Sequence, residues 1–511
     1  MAIILGKLDR NVIPRWRDFA STVQLGELNE PTIQRTVNQL DLSLDTLERD
    51  WQTNRSLSFA ADLISAAYLH GATEIVREAA LFVLELQDIK QQEHPLTRLA
   101  RGILSNSKNL RHEAREVEIH SPEQMRTLIS THRRTLSSEP RDAILWVDLS
   151  LLHAMVGQSE KARRAMVVAV SLAPENRFVL RSAARLFIHL DEPDRAHRIL
   201  KNSKSIRRDP WIISAEIATA SAAKRAPFAI DQAIRTLAGS TFAPRETTEL
   251  SAAVATLELR DGNARKAKKH IRNGLISPNE NSLAQAKWIS KELNDFLPEK
   301  SVSEFRVERS FEALAWEAFV KKDWTAAAAN SLCWLKDQPF SAWPARVACQ
   351  ITSAILENFH AAENIAKFGL VANPNEHMLH IGLAYIYSCT ERTDLASTEL
   401  DQIHGSMDTN VEVALIANHG LIKFRQGDEA AGRALYLAAV EKARGFSDES
   451  LEAAALTYWA REEVRAKSAI ASEVLGHAAE AVKKVDETVM HAAFILERVE
   501  REFQEMRKQT K

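Results

Sequence analysis

Prolines recur in this chain at intervals of 34 residues, and that period restricts the fold more than any other feature. Pro140 and Pro174 are 34 apart. Pro210, Pro244 and Pro278 repeat the interval in a frame shifted by two residues, and Pro339 and Pro374 continue it at 35. With only 15 prolines among 511 residues, such a register does not arise by chance. Proline has no amide proton and clashes with the turn before it, so each of these residues punctuates a helix. A helical unit of this length cannot bury its apolar stripe alone and must stack on copies of itself.

Residues 143–176 display the unit. Trp146, Leu149 and His153 recur at helical spacing, Gly157 interrupts them, Ala162, Met166, Ala169 and Val170 resume the pattern, and Pro174 ends it. This order resembles the tetratricopeptide repeat, a helix–turn–helix unit of 34 residues. Ser150 stands where the family usually has glycine, and His153 where it usually has tyrosine. The resemblance covers roughly residues 56–444. It implies an all-α chain, an α–α solenoid of tetratricopeptide-like helix pairs.

In order along the chain, residues 1–54 read as an N-terminal arm and an amphipathic helix, whose stripe is Ile33, Val37, Leu40, Leu44, Leu47 and Trp51. Residues 55–120 read as divergent helical repeats, with Phe59, Leu63, Tyr68, Gly71, Ala79, Ala80 and Val83 marking one pair and a polar connection after 104. A first sub-array occupies 121–297 and a second 304–445, with a joint near Pro298–Ser303. The C-terminal helices fill 446–511. There Ala478, Val482, Val485, Val489, Ala492, Leu496, Val499, Phe503 and Met506 alternate by four and three. That spacing suits a coiled-coil seam for self-association through 467–508. The flanking Ala479, Ala481, Ala493 and Ile495 widen the stripe and suit a long capping helix, which solenoids need. Both readings stay open at this point.

Composition narrows the function classes. Hydrophobic residues make up 45% and charged ones 26%, enough for a core. A formal charge of −2 gives no global signature of nucleic-acid binding. The N-terminal apolar run is too short for a signal peptide, and no run approaches membrane-spanning length, so a cytoplasmic protein is expected. Cys333, Cys349 and Cys389 have neither disulfide nor metal spacing. No phosphate-binding glycine loop, HExxH pair or GxSxG elbow occurs. His153 reads as a satisfied core histidine. The expectation is a non-enzymatic chain with no metal and no cofactor.

In the family, the first helix of each pair lines the concave face, through repeat positions two, five, nine and twelve. Carried over, these positions include Phe178, Arg181, Arg185, Trp316, Phe319 and Tyr385, the candidate partner-binding residues; Glu312 is a further inward position. Val147 and Leu151 stand where the family's carboxylate clamp needs Lys and Asn, so that mode of binding is not expected. The groove is expected to take a protein or peptide partner, unless the chain's own N-terminal arm fills it. The alternative is a nucleic-acid-binding regulator using the basic stretch 161–208, where twelve Lys and Arg face four acids.

Overall fold

A computed structural model describes residues 10–19, 44–56, 59–60, 63–64, 74–85, 100, 104, 122–292, 301–485 and 490–509. The chain divides into two compact units, one made of 1–25 with 118–511 and the other of 26–117. Helices are the only regular elements among the described residues.

The smaller unit contains α1 (Leu44–Thr53) and α2 (Glu74–Glu85). Trp51 is fully buried with its ring edge-on to Phe82 at 5.0 Å. Leu47, Leu63, Val76, Ala79, Ala80 and Val83 complete the core around it. The expected stripe residues Ile33, Val37 and Leu40, the markers Tyr68 and Gly71, and the connection 105–120 lie outside the described residues.

The larger unit opens with α3 (Pro122–Ser138) and then runs as helix pairs. The pairs are α4 (Ala143–Met155) with α5 (Ser159–Leu172), α6 (Arg177–His189) with α7 (Pro193–Asn202), α8 (Pro210–Ala222) with α9 (Ile230–Ala238), and α10 (Pro244–Arg260) with α11 (Ala264–Gly274). Helix α12 (Glu280–Glu292) leads to the second series: α13 (Phe311–Val320) with α14 (Trp324–Asp337), α15 (Ala342–Gln350) with α16 (Phe359–Ala372), and α17 (His377–Cys389) with α18 (Thr393–Leu400). It closes with α19 (Thr409–Arg425) and α20 (Glu429–Gly445), α21 (Glu449–Arg465) and α22 (Ala471–Lys484), and α23 (Met490–Gln509). Each first helix packs on its own second helix and, save at the step from α13 to α15, on the next first helix along the array, the stacking of a tetratricopeptide-like solenoid. The array continues across the expected joint: α12 packs on α13, and Ser301 and Glu304 cap a short 3₁₀ turn there.

Local chemistry explains the starts and stops. Asp142, Asn176, Asp209, Asp323, Asn358, Asp408, Asp428 and Asp448 each accept a backbone N–H at a helix start, a cap worth about 1 kcal/mol. The two proline frames have different jobs. Pro210 and Pro244 sit at the first helical position, where the missing N–H costs nothing, whereas Pro174 and Pro374 lie in the loops between pairs. At the family's glycine position, Ser150 Oγ donates to the Ala162 carbonyl at 2.8 Å and so ties α4 to α5. His153 is buried with Nδ1 2.9 Å from Gln158 Oε1.

The C-terminal seam differs from one continuous helix. α22 ends at Lys484, Val485 is extended, and α23 starts at Met490; Val489 lies outside the described residues. Ile495, Leu496 and Val499 of α23 are buried within the chain itself, against the second series of pairs. Val485 carries the break: its extended backbone cannot continue the seam, and the apolar face of α23 turns back onto α21.

Candidate functional site

Residues 10–19, RNVIPRWRDF, cross the inner face of the larger unit. Pro14 fixes its own φ and bars Ile13 from helical geometry, so the segment runs extended up to Phe19. Alternate residues of an extended chain point to opposite sides. Val12, Pro14 and Trp16 accordingly share a buried side, and Trp16 meets Phe340 edge-on at 5.2 Å.

The three arginines find carboxylates on three separate elements. Arg10 grips Glu312 of α13 through two bonds of 2.8 and 2.9 Å, and its Nη2 also donates to Asn281 of α12 at 3.0 Å. Arg15 reaches the same Glu312 and lies over the Trp334 ring. Arg17 forms a fork on Asp337 at 2.9 and 2.8 Å and donates to Glu280 at 2.8 Å. The backbone is also held: Gln285 donates to the Arg10 carbonyl, Asn281 to the Ile13 carbonyl, and the Phe19 N–H donates to Asp148 at 3.0 Å.

This electrostatic set is internally consistent. Burial by itself raises Glu312, but the Arg10 and Arg15 guanidiniums outweigh it and hold the carboxyl at about 2. Glu280 and Asp337 likewise lie below their ordinary range, with burial opposed chiefly by Arg17. Burial, then Arg15, pushes Arg185 down to about 10, and burial with Arg185 pushes His189 down to about 4. Asp148 goes the other way, up to about 8, because burial and the neighbouring Asp18 outweigh the Phe19 N–H.

Opposite walls of the array meet around the segment. Arg185 of α6 donates to Ser341 at 3.1 Å and stacks over Phe340 at 5.1 Å, and His189 meets the same ring edge-on. The α4–α5 turn abuts α16: Gly157 has φ +70°, and a side chain there would collide with the Val371 carbonyl. The inner face is thus a channel, and the described part of the N-terminal arm lies in it.

The six candidate residues fall in four places. Phe178 and Arg185 border the arm; the Phe178 and Phe19 rings meet edge-on at 5.3 Å. Arg181 is committed to Glu249 at 2.9 Å and lies over Trp211. Trp316 stacks on Trp343 and meets Phe319, which is buried against Trp324. Tyr385 is fully buried and accepts from Arg461, whose guanidinium sits between the Tyr385 and Tyr458 rings. α23 occupies the second series: Phe494 packs on Trp324, and Arg498 donates to the Ile355 and Ala354 carbonyls at 3.1 and 3.0 Å. Sequence reasoning missed Glu280, Asn281, Gln285, Asp337, Phe340 and the arm's Arg10, Arg15, Trp16 and Arg17. The dense RWR triplet was the one signal that could have found the arm.

The basic stretch is consumed only in part. Arg163 pairs with Glu192, Arg177 with Asp209 and Arg195 with Glu192. Lys161, Arg164, Arg198, Lys201, Lys204, Arg207 and Arg208 remain exposed on the second helices and the turn after them. Among the described residues no group of three or more His, Cys, Asp or Glu is placed to hold a metal ion, and no helix is long and apolar enough to cross a membrane. Cys349 is buried, which pushes its thiol up to about 12, away from nucleophilic use.

No protein-family model matches the chain, and no curated protein sequence matches it. Among solved structures it is similar to a monomeric IFIT1 mutant with Gppp-AAAA, at 15% identity over 76% of this chain and 96% of that one, TM-score 0.37. It is also similar to yeast Tom70, at 13% identity over 75% and 96%, TM-score 0.29. A third is the P58(IPK) TPR domain, at 16% identity over 59% and 95%, TM-score 0.20.

Proposed function

We propose that this chain is a non-enzymatic helical-repeat scaffold, the adaptor or regulatory subunit of a complex, that binds a protein partner through an extended segment on the inner face of the array. The observation that carries the reading is the arm itself. Nine consecutive non-helical residues, 10–18, lie in the channel, held by side-chain forks and by amide groups reaching their backbone. An inner face that holds one such segment has the donors and acceptors to hold another. Phe178 and Arg185 are the proposed contact residues at the channel; Arg181, Trp316, Phe319 and Tyr385 support the walls.

The test is selection of random peptides on the immobilised full-length protein, repeated with Glu312→Gln and Asp337→Asn. Peptides that bind the parent and lose affinity on the variants support the scaffold reading. A protein that selects no peptide, yet binds random RNA or duplex DNA with strong salt dependence, moves the function to the second reading.

That second reading, a nucleic-acid-binding regulator, draws on the seven exposed cations between Lys161 and Arg208. If all seven met phosphates, the log–log salt slope of binding would be about −6. A slope near zero removes it.

A further inference from the structure

We infer that residues 10–19 are an internal mimic of the partner's docking segment: the channel recognises an extended basic–aromatic stretch with arginine at the first, sixth and eighth positions and tryptophan at the seventh, and the arm competes with the partner for that place. This rests on the scaffold reading above and names the partner's chemistry.

The charge of the empty channel dictates the ligand. Glu312, Glu280 and Asp337 are all buried, and each is satisfied by an arginine of the arm. Removing those cations leaves three carboxylates in a poorly solvated cleft, which is among the most costly arrangements a protein can hold. Arg309, 3.4 Å from Asp337, and Arg185, which feels Glu312, offset only part of that charge. A polyanion entering there would face like charge, so a nucleic acid does not fit and a cationic peptide does. Planar forks on Glu312 and Asp337 select guanidinium over ammonium.

The spacing is specific. Arg10 and Arg15 converge on Glu312 from the two ends of a Val-Ile-Pro stretch that proline keeps extended. Two residues further on, Arg17 faces Asp337 and Glu280, with Trp16 between them on Phe340. The backbone contacts, by contrast, suit any extended chain.

The arm and the channel belong to one chain, so a partner segment of the same pattern binds only where the arm withdraws.

The experiment uses the full-length chain with Arg15→Glu and Arg17→Glu together, and a fluorescent peptide of residues 10–19 followed by anisotropy. The peptide should bind the variant at least about tenfold more tightly than the parent, whose channel is occupied. The same peptide with both arginines reversed should not bind. A variant with parental circular dichroism and elution volume that ignores the peptide overturns the proposal. Should the variant fail to fold, hydrogen exchange on the parent decides. Arm amides that exchange by local opening, ahead of α8, support competition; arm amides that exchange only on global unfolding overturn it. Selected peptides that bind the parent but lack the arginine pattern would keep the scaffold reading and remove this inference alone.

Discussion

Asp148 accepts the Phe19 amide while its carboxyl is held at about 8 by burial and by Asp18. An acid whose folded pKa is raised binds protons that the unfolded chain gives up. Its contribution is therefore complete below pH 3.8 and is lost as pH rises toward 8. Asp148→Asn keeps an acceptor for Phe19 and removes the titration; the midpoint of thermal unfolding at pH 8 should rise by roughly 2–4 °C, and the slope between pH 4 and 8 should flatten. A variant melting at or below the parent at pH 8 would contradict this. Glu312, Glu280 and Asp337 work in the opposite sense. Their folded pKa values are depressed, so their stability is complete above pH 4.5 and is lost as pH falls, toward 2 for Glu312. Glu312→Gln leaves Arg10 and Arg15 buried without their carboxylate, and it should cost about 3–5 kcal/mol in urea unfolding at pH 7.

Helix pairs were legible because their punctuation is local: a glycine turn, a proline every 34 residues. The punctuation is more regular than the residues suggest. The turn inside each pair of the larger unit carries one left-handed residue: Gly157, Asp191, Lys224, Gly262, Lys322, Glu357, Glu391, Gly427 and Lys467. Only three of these are glycine, so reading glycines alone finds a third of the turns. Non-glycine residues pay about 1–2 kcal/mol for that conformation. Glu391 is exposed, and Glu391→Gly should stabilise by about 0.5–1 kcal/mol, after the entropy that glycine loses on folding, as measured by chemical denaturation. Unchanged or lower stability would show that the backbone there is not strained. The C-terminal seam was legible as an apolar stripe but not as an address. A four–three alternation looks the same whether the stripe meets a second copy or the chain's own α21. Leu496 lies on that stripe, nearly buried, and Leu496→Ala should cost about 2–4 kcal/mol without changing the elution volume.

At the scale of the whole array, an arm filling the groove was an open alternative in the sequence, but the residues that hold it were illegible for a physical reason. Nine extended residues have no helical period, and their partners lie 263 to 320 positions away for Arg17 alone. The acids that receive the arginines look like ordinary helix-surface charges until the inner face is assembled. The same long-range contacts change how the array should unfold. A repeat stack normally couples only neighbours, so damage fades along it. Here Phe340, fully buried, touches Trp16 of the arm, His189 and Arg185 of α6, all at once. Phe340→Ala should cost about 3–5 kcal/mol. If the channel closes the array as one cooperative body, native-state hydrogen exchange in α6 should accelerate as much as in α15, although α6 lies some 156 residues upstream. In a simple nearest-neighbour stack, α15 and α16 would lose protection first and α6 would keep it, because three intervening helix pairs would absorb the defect. Protection of α6 retained in that variant would mean that the Arg185–Ser341 and His189–Phe340 contacts do not couple the two walls, and that the channel is held shut by the arm alone.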